Sequence, residues 1–138
     1  MMKIVRFGLL SIYIFGLSTA NFAWAQSTQT DLSVGAGSDY KMADAKLNQI
    51  YKRILTKYKD EPVFLQKLQK AQKAWIVFRD AQMAARFPNS PDEYGSAFSM
   101  CYSIEMTTLT NERIKQLKKW DEGIKEGDVC CGSYHIKD

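Results

Sequence analysis

The chain has 138 residues, of which 46% are apolar and 25% charged, with a formal net charge of +4. That length suits one domain with a modest core rather than two. The weak, evenly mixed charge, with neither a glycine-rich phosphate loop nor a basic-aromatic face, excludes nucleic acid as a partner class.

Lys3 and Arg6 precede an apolar run from Phe7 to Leu17, and Ala23-Trp24-Ala25 then places small residues where a signal peptidase reads. Residues 1–25 are therefore expected to be a signal peptide, removed on export to the periplasm or beyond. The apolar run of 11 residues is well short of the ~20 that span a bilayer, so no membrane span is expected after cleavage. No cysteine follows the run at the cleavage point, which argues against a lipid anchor. Cleavage would leave 113 residues and, with two cations and no acids removed, a net charge of +2.

Residues 26–38 are small, polar and glycine-containing and predict a flexible leader. Ser38 or Asp39 is placed to cap a first helix, over Tyr40 to Lys59. Its apolar stripe is Met42, Leu47, Ile50, Tyr51, Ile54, Leu55 and Tyr58. Asp60-Glu61-Pro62 stops that helix and starts a second, because proline suits a first turn and acids suit a helix N-terminus. The second helix is expected from Pro62 to Arg86, with a stripe of Phe64 or Leu65, Leu68, Ala71, Trp75, Phe78 and Gln82, flanked by Val77 and Ala81. Phe87 to Glu93, holding two prolines, predicts a loop. A third helix should begin near Tyr94 to Ser96 and reach Trp120, carrying Phe98, Cys101, Tyr102, Met106, Leu109, Arg113 and Leu117. The expected fold is all-α: a three-helix up-down-up bundle over residues 39–120, with an irregular tail from 121 to 138.

The second helix places Gln72, Trp75 and Arg79 on one face, followed by Asp80. Polar groups on a buried stripe need partners. Asn48 and Tyr51 on the first helix, with Glu105, Thr110 and Arg113 on the third, are the candidates. The expected result is a structural network of Asn48, Tyr51, Gln72, Trp75, Arg79, Asp80, Glu105 and Arg113 that sets helix register, with ligand contact as the other reading.

These residues carry a resemblance. Asp44-x-x-Leu47-Asn48-x-x-Tyr51, Leu68-x-x-Ala71-Gln72-x-x-Trp75-x-x-x-Arg79-Asp80-Ala81, Cys101, and Leu109-Thr110-x-x-Arg113-x-x-x-Leu117 are similar to the LprI-like lysozyme inhibitor family. Its members are small, exported, helical bacterial proteins formerly grouped as a domain of unknown function. The likeness covers roughly residues 39–119 and implies inhibition of lysozyme by stoichiometric contact, with no cofactor and no catalysis. The family usually carries a cysteine just after its Arg-Asp motif, paired with the one corresponding to Cys101. Here that position is Met83, and an apolar contact is expected in its place. The upstream cysteine of many members is absent too.

Cys101 is left to pair with Cys130 or Cys131, or with a second molecule. A helix from Cys101 to Trp120 rises ~28 Å, and ten extended residues would return ~33 Å, so the internal bridge is within reach. For inhibition, a protruding element must enter a sugar-binding cleft and offer donors to its carboxylates. The loop from Pro88 to Gly95 is the candidate, with Asn89, Ser90, Asp92 and Tyr94 as partner-binding residues. A net charge of +2 gives no overall steering toward basic animal lysozymes. Two alternatives are an envelope-interaction protein with another partner, and Cu(I) or Zn binding by Cys130, Cys131 and His135, although their spacing matches no strong zinc pattern. With one histidine, in the tail, no nucleophile-base-acid set can be assembled, so an enzyme is not expected.

Overall fold

The computed structural model describes residues 20–137, with side chains from residue 28 onward. The chain forms three helices, α1 (Ala20–Lys57), α2 (Pro62–Arg86) and α3 (Phe98–Glu122), with a short 3-10 turn at Pro91–Tyr94. Among the described residues, pairing of extended backbone is limited to an isolated bridge between Ile124 and Ile136 in the tail. None of the described helices is long and apolar enough to cross a membrane.

The helices run up, down and up. Gln29 and Met100 meet near the starts of α1 and α3, while Arg53 donates to Asp121 (Nε to Oδ1, 2.9 Å) near their ends, so these two helices are parallel. Helix α2 opposes both: Phe64, in its first turn, stacks near Trp120, and Arg86, at its end, faces Glu105.

Two apolar clusters fill the bundle. The larger consists of Leu47, Ile50, Ile54, Tyr58, Leu68, Ile114 and Leu117, with Phe64, Trp75 and Trp120 packed at its edge. The smaller holds Met83, Met106 and Leu109 against Tyr40 and Phe87. Between them α2 contributes buried Gln72 and α3 contributes buried Thr110 and Arg113. A polar layer thus divides the core at mid-height, and sliding one helix by a turn would bury these groups among methyls without partners.

Four expectations about the helices need correcting. Residues 26–38 are helical, not a flexible leader, and α1 needs no cap at Ser38 or Asp39 because it passes through them. Buried Ala36 and Ala43 explain the extension, since α1 continues to lie against α3 over this stretch. The stripe of α2 is also turned from the expected line. Its inward residues are Leu68, Gln72 and Met83, with Trp75 and Arg79 half-buried, whereas Val77 and Phe78 are 70% and 55% exposed, and Ala71, Ala81 and Gln82 face water. Both lines step by threes and fours; burial of Gln72 against Arg113 selects between them. On α1, Met42 is exposed and Ala43 takes the inward position. Finally, α3 begins at Phe98, after the 3-10 turn. Lys3, Arg6 and the run from Phe7 to Leu17, which carry the signal-peptide expectation, lie outside the described residues.

The tail closes the end of the bundle remote from the loop. Lys57 Nζ donates to the carbonyls of Trp120 and Asp121 (3.3 and 3.1 Å), which end α3 and have no partners within the helix. Gly123, at φ 80°, then reverses the chain, and a Cβ there would lie 2.8 Å from the carbonyl oxygen of His135. That closeness lets the Ile124 amide donate to His135 O (2.9 Å) and the Lys137 amide to Ile124 O (2.8 Å). Trp120 Nε1 donates to Ser133 Oγ, and the Tyr58 hydroxyl to Ser133 O.

Candidate functional site

The polar layer is smaller than expected. Arg113 Nε donates to Gln72 Oε1 (3.0 Å), and Arg113 Nη1 donates to Gln116 Oε1 (2.8 Å). Burial lowers the pKa of this guanidinium, and the neighbouring Tyr51 opposes the shift; burial in turn raises the pKa of Tyr51. Arg113 Nη2 and Thr110 Oγ1 are buried without a hydrogen-bond partner among the described residues. The rest of the proposed network lies outside this layer. Arg79 stacks over Trp75 (5.4 Å) and donates to Asp80 (2.8 Å) at the bundle edge. Asn48 is exposed and donates to Asp44. Glu105 pairs with Arg86 at 3.5 Å, not with Arg79 or Arg113. Sequence reasoning missed Gln116, although its position three residues after Arg113 was a usable signal.

The α2–α3 connection has a defined shape. Phe87 ends α2 with its amide on Met83 O (2.9 Å). Its ring lies 5.6 Å from that of Tyr94 and 5.5 Å from that of Phe98, both edge-on, and 5.7 Å from Tyr102. Tyr94 stacks on Phe98 at 5.5 Å, and Phe98 in turn meets Tyr102 at 5.5 Å. Four partly exposed rings therefore make a platform beneath the loop. Hydrogen bonds fix the loop itself. The Asn89 amide donates to Tyr94 Oη (2.9 Å), the Ser90 amide and hydroxyl both donate to Glu93 Oε1 (3.2 Å), and the Glu93 amide donates to Ser90 O (3.0 Å). Gly95, at φ 70°, turns the chain into α3. Asn89, Ser90 and Asp92 are exposed, and Tyr94 is half-buried as the loop's anchor. The sequence pointed to all four, but not to Phe87, Phe98 and Tyr102 as their support; aromatic residues spaced by three and four across the loop were the available signal.

The cysteines do not pair as expected. Cys101, Cys130 and Cys131 are all free. The tail docks on Trp120 and Tyr58, about 28 Å along α3 from Cys101, so the return path is spent at the wrong end. Met83, where the resemblance implies a cysteine in most members, is buried in the smaller apolar cluster. The soft ligands do not converge either. His135 stacks on Tyr58 and faces Glu61, and no group of three histidine, cysteine or acidic side chains among the described residues is placed to hold a metal.

The molecule is thus a short up-down-up helical bundle with a polar-split core and a braced interhelical loop. Residues 21–117 match the family described as "Lysozyme inhibitor LprI". The chain belongs to that family. It is also 32% identical over 103 residues to an uncharacterized protein of Rhizobium meliloti (strain 1021), covering 67% of this chain and 73% of that one. No solved structure matches.

Proposed function

We propose that this protein is exported after cleavage near Ala25 and binds a lysozyme stoichiometrically, inserting the Asn89–Tyr94 loop into the cleft without catalysing a reaction. The observation that carries the reading is the bracing of that loop. An inhibitor must hold its contact residues in place before the partner arrives, or the ordering of the loop subtracts from affinity. The Ser90–Glu93 and Asn89–Tyr94 hydrogen bonds and the four rings below provide that order. The exposed Asn89 side chain and the Tyr94 hydroxyl, whose oxygen already accepts from Asn89, offer donors to cleft carboxylates. The family's description supports lysozyme as the partner.

A titration of the purified protein against lysozyme, read as the rate of cell-wall lysis, tests the proposal. Lysis should fall to a floor near one equivalent. Asn89→Ala with Tyr94→Phe should weaken inhibition on the order of 10-fold or more while the melting temperature moves little, as expected of central contact residues. Undiminished lysis at a large molar excess would refute it.

A further inference from the structure

The positive net charge hides a division along the bundle axis. Ala43 on α1 lies level with Asn111 on α3, and Tyr40 is within electrostatic reach of Arg79 and Asp80 on α2. Take these as the midline. The loop-bearing half then holds Asp31, Asp39, Asp80, Asp92, Glu93 and Glu105 against Lys41, Arg79 and Arg86, a net charge of −3. The other half, residues 44–78 and 112–137, holds 14 lysines and arginines against 8 acids, a net charge of +6. The aromatic platform of Phe87, Tyr94, Phe98 and Tyr102 sits in the acidic half, with Tyr102 37% exposed. Half-exposed aromatic rings are the side chains that anchor protein interfaces.

We infer that this platform docks a folded protein with a strongly cationic surface, which meets the molecule loop-first while the basic half is held away. This rests on the proposed lysozyme contact and adds the partner's charge and the orientation of approach. The overall +2 expected after cleavage gives no steering, yet the field a partner meets within a Debye length, ~8 Å at physiological salt, is that of the nearer half. Long-range attraction by Asp31, Asp39 and Asp92 and short-range donation by Asn89 act at different distances and do not conflict. Acids in the same half of the bundle as the platform raise the encounter rate with a basic surface; donors at the loop tip satisfy carboxylates inside the cleft.

The test compares two triple variants of the purified protein by association rate with a basic c-type lysozyme, across low to high salt. One is Asp31→Lys, Asp39→Lys and Asp92→Lys; the other is Lys67→Glu, Lys70→Glu and Lys73→Glu on α2 in the basic half. Expected are a wild-type rate that falls about 10-fold with salt, a similar loss at low salt in the first variant, and a change within about twofold in the second. Circular dichroism checks folding, and the milder Asp31→Asn, Asp39→Asn and Asp92→Asn triple, expected to give an intermediate rate, replaces the first if that variant unfolds. Association that is insensitive to salt, or slowed equally by both triples, overturns the inference and leaves the lysozyme contact standing. No association by the wild type overturns both.

Discussion

Arg113 is a guanidinium that is 7% exposed and, among the described residues, pairs with two glutamine side chains and no carboxylate. Removing a charge from water is costly, and amide oxygens return only part of that cost. Arg113→Met removes the buried charge but leaves the buried Gln72 carbonyl without its donor, so it should destabilise by about 1 kcal/mol, less than loss of the Gln72 acceptor does. Gln72→Leu, which strands the buried charge, should destabilise by about 2–3 kcal/mol. Urea denaturation of the two variants checks the pair; equal losses would contradict this account of the layer. Gln72 and Arg113 were legible because polar residues at helical spacing on an apolar stripe are conspicuous. Asn48 and Glu105 were misassigned because membership of a polar layer depends on side-chain direction, and a Glu105 aimed at Arg86 shares its residue spacing with one aimed inward.

Helix α1 shows how tertiary packing overrides composition. Gly35 and Gly37 each lower helix propensity by about 1 kcal/mol relative to alanine, and that deficit made residues 26–38 read as irregular. Burial of Ala36 and Ala43 beside α3 outweighs it. A Cβ at Gly35 or Gly37 would meet nothing within 4 Å. Each Gly→Ala change should therefore stabilise by up to ~1 kcal/mol, raising the melting temperature a few degrees; a lowered melting temperature would contradict the helical assignment. The α2–α3 loop behaves in the opposite way. Glu93→Ala removes both acceptor contacts to Ser90 and should cost under ~1 kcal/mol at this exposed position while weakening partner binding several-fold. Calorimetric titration beside thermal melting separates the two effects. Proline and turn residues placed this loop correctly in the sequence, whereas its bracing rings became visible only once α2 and α3 were laid side by side.

The three helices close against one another through tyrosines as well as aliphatic groups. Burial raises the pKa of Tyr58, with Glu61 adding to the shift, and burial likewise raises those of Tyr51 and Tyr40. A folded state that holds these phenols protonated is stable below the ordinary tyrosine pKa of about 10 and loses stability as pH rises through the raised folded values. Thermal melts from pH 8 to beyond the ordinary tyrosine range, roughly pH 11, should show a falling melting temperature only in the upper part, and Tyr58→Phe should flatten the fall. The up-down-up order was readable from stripe and loop lengths. The charge division was not, because a sum over the chain discards position, and the cysteine pairing failed because the tail's docking site on Tyr58 and Trp120 leaves no trace in spacing. The most direct measurement of the central claim is amide hydrogen exchange of this protein alone and with lysozyme. Slowed exchange at Asn89, Ser90, Glu93 and Gly95, with the amides of 46–78 unchanged, is the expected result. Protection confined to the basic half, or none under saturating lysozyme, would contradict it.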